Sequence, residues 1–215
     1  MAVSFTPTVV SNPTGAQGSY PLELTVGHEG MIADLQAYVS RSYYNQSGVA
    51  IPFGSLVATD NDPTSNDPFA VLLAPSGTGV VGLAVDGLTF EGVGGSSAYT
   101  PNPTNVIGDG SLRVGYPNGQ TMNVVSKGVV WVYSTAAIAL GDAVRFFGVD
   151  HSSTVTGAYV GRFTKTAVAN KTFAMTGGAR WLSETSGAGL VLLEIDIPGI
   201  TFTARQPSST RGLSS

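Results

Sequence analysis

Histidine and acidic side chains are the candidates for catalytic or metal-binding chemistry, because the sequence has two histidines and no cysteine. His28 lies in a Gly-His-Glu-Gly run, and His151 lies in a polar run that is typical of a turn. A histidine base also needs an activated nucleophile, and the G-x-S-x-G elbow of many hydrolases occurs nowhere in the chain. Zinc takes four ligands, drawn mainly from cysteine and histidine. We therefore predict no catalytic residue and no metal site, and interpret both histidines as loop residues.

Two further segments have the composition of a ligand-binding loop. Residues 77–82 match G-x-G-x-x-G, which holds a dinucleotide only where the loop opens a helix. Here the loop runs into Val80 and Val81, which are typical of a strand, so we predict a glycine-rich hairpin turn and no cofactor. Residues 60–67 form an acidic loop, but its sixth position lacks the glycine of a calcium-binding loop. We interpret it as a solvated turn, with adventitious calcium binding as the alternative.

Charge and hydropathy argue against nucleic acid and membrane as partners. The 10 Lys and Arg residues and 14 Asp and Glu residues give a net charge of −4, and charged residues make up only 11% of the chain. Binding to duplex DNA depends on a basic surface that displaces counterions. A membrane-spanning helix needs about 20 mostly apolar residues. The most apolar window, residues 190–197, is broken by two acids, so we predict that the protein binds neither partner.

Short apolar runs separated by turn residues dominate the middle of the chain. The sequence has 28 Gly and 12 Pro, a content that favours turns over helices. In the clearest run, Val191, Leu193 and Ile195 alternate with Glu194 and other residues, as in a strand with one face in the core. The pattern predicts an all-β fold of mostly antiparallel strands. The predicted strands cover residues 49–59, 69–74, 79–90, 121–134, 143–149, 155–163, 171–175 and 189–197.

The chain divides into three parts by pattern. Residues 49–197 hold these strands and form the predicted antiparallel β-barrel or jelly-roll domain. Residues 1–48 form a predicted N-terminal arm and residues 198–215 a predicted C-terminal tail, because both mix isolated apolar residues with Ser, Thr, Pro and Gly. The apolar residues between Met31 and Val39 fit a short helix, and they also suit an extended arm.

Candidate contacts with a partner come from aromatic, arginine and apolar residues of the two predicted arms. Aromatic residues and arginine are enriched at protein interfaces, although they also make ordinary packing contacts. Both interpretations stay open for the tyrosine–arginine cluster of the N-terminal arm. The seven candidates are Phe5, Tyr38, Arg41, Tyr43, Tyr44, Ile200 and Phe202.

Five short motifs, in chain order, resemble those of tailed-phage capsid cement (decoration) proteins. The longest is the run G-A-R-W-L-S followed by G-L-V-L-L-E-I in residues 178–195. The family's G-D turn more commonly carries proline where this chain has Leu140, and residues 91–111 have no counterpart in the family pattern. The other four motifs are Gly30-Met-Ile-Ala-Asp34, Ile51-Pro-Phe-Gly54, a valine-rich run around Lys127-Gly128, and Gly141-Asp-Ala-Val144.

The resemblance implies a non-enzymatic structural protein without cofactor or metal. It implies a β-barrel or jelly-roll domain, made in the host cytoplasm, that binds the outer surface of the capsid and stabilises contacts between major capsid proteins. It also implies a homo-oligomer, for which we prefer a dimer and keep a trimer as possible. The alternative is a β-rich module of a phage tail or spike that binds a glycan or receptor, in which Trp131, Trp181 and the tyrosines would stack on sugars.

Overall fold

The computed structural model describes residues 27–34, 38–59, 70–74, 76–86 and 115–204. In these ranges every helix or strand element is a strand, which confirms the predicted all-β fold. None of the described residues belongs to a helix long and apolar enough to cross a membrane. The eleven strands of the described part are β1 (Val39–Asn45), β2 (Ile51–Pro52), β3 (Leu56–Thr59), β4 (Ala70–Leu73), β5 (Val80–Val85), β6 (Gly115–Tyr116), β7 (Thr121–Ser134), β8 (Val144–Phe147), β9 (Phe163–Thr164), β10 (Thr172–Trp181) and β11 (Gly189–Ala204).

The long strand β7 belongs to two closed rings of strands. In the first ring the order is β1, β4, β3, β5 and β7, and pairing of β1 with β7 closes it. In the second ring the order is β7, β11, β10, β8 and β9, closed by one parallel pair between Ser134 and Phe163. The remaining strand pairs are antiparallel except β1 with β4. Gly128 stands where β7, which pairs with β5 up to Val125, goes on to pair with β11, and its φ of +148° is one that glycine tolerates.

Neighbouring residues of β3 and β5 point into different cores. Val57 and Ala84 belong to the hydrophobic cluster of the first ring, together with Tyr116. Leu56 and Leu83 belong to a larger cluster that also contains the buried residues of β8, β10 and β11. Because side chains alternate along a strand, both faces of β3 and β5 are buried. The two rings therefore pack as one body, with one face of β3 and β5 in the core of the first ring and the other face against the second ring.

Two sequence predictions about local structure are wrong. The predicted strand over residues 155–163 is a series of turns, with only Phe163 and Thr164 in a strand. Local main-chain hydrogen bonds fold this segment back on itself, for example from the His151 N–H to the Ala158 carbonyl at 2.9 Å. The glycine-rich turn at residues 76–79 is not a hairpin, because β4 and β5, which it joins, lie on opposite sides of β3.

The segment that fitted a short helix is extended where the structure describes it. Ile32 forms an antiparallel bridge with Val130, and the chain enters β1 at Val39. Hydrogen bonds join this segment to the edge of β7, which fixes its extended course. The acidic loop of residues 60–67 and the loop of residues 91–111 lie outside the described residues.

Both predicted arms contain residues that pair in the main sheet. Strand β1 falls within residues 1–48 and pairs with β7 along its whole length up to Tyr44. Strand β11 passes position 198 and ends at Ala204, and its last residues pair with the first half of β10. The main-chain ladder therefore extends beyond the predicted boundaries at both ends. Of the predicted arm and tail, residues 1–26 and 205–215 lie outside the described part of the chain.

Candidate interaction surface

Strand β1 carries three of the seven predicted contact residues, and a fourth, Tyr38, lies immediately before it. Arg41 and Tyr43 point to one face of the strand, and Tyr44 points to the other, because side chains alternate. Tyr38, just before the strand, has 41% of its surface exposed, and Tyr44 has 38%. The register therefore brings the cluster onto one strand but divides it between two faces. Pairing with β7 does not bury either face of the first half of β1, where Val39 is also exposed.

A groove of about 350 Å³ opens on the Arg41 face of β1. Aliphatic and polar residues contribute about equally to its walls, with the exposed ion pair between Lys127 and Asp196, 3.0 Å apart, on one side. Exposed ion pairs add little to stability, so this pair makes the groove wall polar and contributes little to its rigidity. The described residues that line the groove are Val39, Arg41, Tyr43, Val81, Val124, Ser126, Lys127, Asp196, Ile197 and Pro198.

The predicted contact residues of the C-terminal tail are partly built into the core. Ile200 and Phe202 are half-buried and pack against the larger hydrophobic cluster. The Phe202 ring lies edge-on to Phe146, with centroids 6.0 Å apart. Its Cβ also lies 2.1 Å from where a side chain on Gly77 would begin, so the turn needs glycine there. Only the exposed parts of Ile200 and Phe202 are therefore available for contact with a partner. Phe5 lies outside the described residues.

Two exposed leucines form a surface feature that the sequence prediction missed. Leu140 has 61% of its surface exposed and Leu182 has 38%. The loops that carry them are joined, because Ile138 bridges to Thr185 and the Leu140 N–H donates to Glu184 at 3.2 Å. The one signal in the sequence is a large apolar residue immediately before a Gly-Asp turn, where a polar residue is more usual.

Neither histidine lies in a cluster of metal-binding side chains. His28 Nε2 lies 2.9 Å from the Asp86 carboxylate, and the histidine side chain is half exposed. His151 lies in a turn beside the Phe147 ring. In the described ranges no three histidine, aspartate or glutamate residues are arranged to hold a metal ion.

The two tryptophans are engaged in packing. Trp181 is 3% exposed, and its ring lies edge-on to Phe163 in the core. The Trp131 ring lies against Gly27, so close that a Cβ there would be 2.5 Å from Nε1. A sugar stacks on an open aromatic face, which the buried ring of Trp181 does not offer. Trp181 therefore does not support the glycan-binding alternative.

Asp142 closes the tight turn that leads into β8. Its Oδ2 accepts hydrogen bonds from the Ala139 N–H at 2.8 Å and from Lys165 Nζ at 2.9 Å. The Ala139 bond, followed by the Lys165 bond, holds the pKa of Asp142 below its ordinary value. The neighbouring Gly141 has φ +88°, which glycine adopts without strain.

Asp142→Asn is expected to lower the melting temperature by a few degrees at neutral pH. Because the pKa of Asp142 is lower in the folded state, its carboxylate stabilises the fold above the unfolded pKa, about 3.9 for Asp. That contribution is lost as the pH falls through the folded pKa. The gap in melting temperature between parent and variant should therefore close below about pH 4. Asp196→Asn, at an exposed ion pair, is the control with little effect, and a gap independent of pH would contradict the charge argument.

The cement-protein motifs meet at points where two stretches of backbone touch. A side chain on Gly30 would begin 2.6 Å from the Phe53 Cβ, and one on Gly54 would begin 3.2 Å from the Gly30 nitrogen. A side chain on Gly178 would begin 2.4 Å from the Asp196 carbonyl oxygen, across the β10–β11 pair. These glycines allow close packing of backbone. The motifs thus specify the fold rather than a reactive centre.

A family model described as structural cement protein (E217 gp24/Pam3 gp6) matches residues 16–196. The chain belongs to this family of phage cement proteins. The predicted resemblance is thereby confirmed. A solved structure titled "The capsid of Myoviridae Phage XM1" contains a chain with a similar fold, at a TM-score of 0.54 and 16% sequence identity. The similarity covers 83% of this chain and 95% of that chain. No curated protein matches the sequence.

Proposed function

We propose that this cement protein binds the outer surface of a phage capsid and joins neighbouring major capsid proteins, without catalysis. The observation that carries the proposal is the family match, which extends over residues 16–196 and so includes most of both rings. Two rings that share β7 and pack against each other through β3 and β5 make a stiff body, as a protein that resists deformation of a shell requires. We further propose a homo-oligomer, with a dimer preferred and a trimer as the alternative.

Attachment through apolar contacts fits the composition and the surface. Charged residues make up 11% of the chain, and the joined loops of Leu140 and Leu182 each expose one large apolar side chain. Burying one leucine against a partner contributes about 1.5–3 kcal/mol. The outer segments, residues 1–26 and 205–215, add further contacts in this proposal. Isolated apolar residues such as Phe5 would anchor them to the shell or to another copy.

Purified protein is expected to bind capsids that lack it and to remain bound in high salt. At about 1 M ionic strength the Debye length is about 3 Å, so attachment through exposed charges would be screened while apolar contacts would persist. Co-sedimentation measures the bound copies, and electron cryo-microscopy of the particles locates them. Hundreds of copies spread over the outer shell support the proposal. Binding to tails or vertices alone, or release in salt, would contradict it.

The double substitution Leu140→Ser and Leu182→Ser tests the apolar surface. Each lost leucine should weaken capsid binding about tenfold or more, at about 1.4 kcal/mol per factor of ten. Val149→Ser is the matched control, since Val149 is 40% exposed but follows β8 at the end away from Leu140. Equal binding by both variants would place the attachment surface elsewhere on the protein.

A further inference from the structure

Among the described residues, strand β1 has an open main-chain edge over its first half. On one side it pairs with β7 throughout, whereas on the other side β4 pairs only with Tyr44 and Asn45. Residues 39–42 are all exposed, and within the described part of the chain no strand lies along their outer edge. Alternate residues of a strand direct their N–H and C=O groups to that edge. Such an edge binds a further extended segment by main-chain hydrogen bonds.

Pairing of two copies of β1 with each other is disfavoured by Arg41. In an antiparallel pair, opposite residues share a face, so the copies of residues 39–42 can align only in a few registers. In each of them the two Arg41 residues lie directly opposite or diagonal to one another, within about 8 Å. Like charges at these positions are destabilising. The edge therefore suits an uncharged segment better than a second β1.

The N-terminal segment has the sequence of such an uncharged strand. Residues 1–22 contain no charged or histidine side chain. Val3, Phe5 and Val9 alternate with Ser4 and other hydroxyl residues, as in a strand with one apolar face. Pro7 has no N–H to donate, which is tolerated only where its nitrogen faces away from the partner strand. Odd-numbered residues would therefore direct their main-chain groups outward, and even-numbered residues would bond to β1.

We propose that residues 2–10 of a second copy add as a strand to the open edge of β1. This inference rests on the homo-oligomer of the proposed function and names the surface that holds it together. Side chains on one face of the added strand would lie beside Val39 and Arg41, next to the groove of about 350 Å³. The aliphatic residues of this groove suit Phe5 or Val9. The open edge supplies the hydrogen bonds, and the groove selects the apolar face.

The direction of the chain favours a second copy over the same molecule. Hydrogen bonds join Gly30 to Trp131 and Ala33 to Val129, and Val39 then pairs with Lys127. The described chain thus approaches β1 along β7, and at Gly27 it lies beside Trp131, beyond the start of β1. Residues 11–26 can span about 55 Å when extended, which is enough to reach an adjacent molecule.

Cysteine cross-linking tests the proposal directly, because the chain has no cysteine of its own. Thr6→Cys and Ser42→Cys chains, purified separately, are mixed, dissociated, reassembled and mildly oxidised. We expect a disulfide-linked pair of the two different chains. Thr6→Cys mixed with Ser153→Cys, an exposed turn residue, is the control that should not link. The main product instead being a Ser42→Cys pair would overturn the proposal in favour of β1 pairing with itself.

A single chain carrying both Thr6→Cys and Ser42→Cys separates the remaining possibilities. Linkage only within one molecule would overturn the role of the second copy, and no linkage in either experiment would overturn the added strand. A variant that lacks residues 2–10 should remain folded and sediment as a monomer. Capsid binding by the full chain is measured separately. Cross-linked chains that fail to bind capsids would refute the proposed function alone, whereas capsid binding without cross-links would refute this inference alone.

Discussion

Replacing Asn45 with aspartate is expected to destabilise the protein by about 3–5 kcal/mol, the range found when a buried charge loses its compensation. Asn45 ends β1 and is fully buried. Its Nδ2 donates to the carbonyl oxygens of Val49 at 2.8 Å and Tyr116 at 2.9 Å. Its Oδ1 accepts from the N–H and hydroxyl of Ser47. Aspartate keeps the shape but places a charged oxygen against two carbonyl oxygens.

The midpoint of urea unfolding measures this loss, and Asn118→Asp supplies the matched control. Asn118 is exposed and uses its Oδ1 only to accept the Gly48 N–H at 2.8 Å among the bonds described. A carboxylate accepts that bond equally well, so the control should change stability by less than about 0.5 kcal/mol. Near-equal unfolding midpoints for both variants would show that the Asn45 donor bonds do not support the junction between β1 and β6.

The strands that follow a strict alternation were predictable from the sequence. Val191, Leu193 and Ile195 are all fully buried, as their spacing indicated. The end of that strand was not predictable, because Pro198 and Gly199 are usual strand breakers. The strand passes them through a bulge, because β11 has four residues, 196–199, between the partners of Ala179 and Gly177, where β10 has only Gly178. Proline and glycine are tolerated at a bulge as well as at a strand end, so residue type alone did not distinguish the two.

The candidate interaction surface was predictable in composition but not in arrangement. Tyr38, Arg41 and Tyr44 were identified by residue type, yet the strand that carries them shows no apolar alternation. Both faces of its first half are exposed, so the core does not determine its pattern. Pairing with β7, more than 70 residues later in the chain, determines that it is a strand. Long-range pairing also leaves one edge of this strand without a partner in the described part of the chain, which no local property of the sequence records.

The residues past position 198 are held by an aromatic junction centred on Phe146. This β8 residue is fully buried. Its ring stacks on Phe173 with centroids 5.4 Å apart and meets Phe202 edge-on. Aromatic pairs in such arrangements contribute about 0.5–1.5 kcal/mol beyond the area that they bury. The junction thus joins β8 and β10 to Phe202, which lies near the end of β11.

Phe146→Ala is expected to lower the free energy of unfolding by about 3–5 kcal/mol, since it removes a buried ring and leaves a cavity. Phe146→Leu, which keeps most of the volume, should cost clearly less. The loss should also loosen the end of β11, because Phe202 loses its edge-on partner there. Urea unfolding measures the first effect, and hydrogen exchange at the amides of residues 200–204 measures the second. Faster exchange confined to that segment in the Ala variant would show that Phe146 holds it to the core. Unchanged exchange there, with normal destabilisation, would mean that pairing with β10 alone holds these residues.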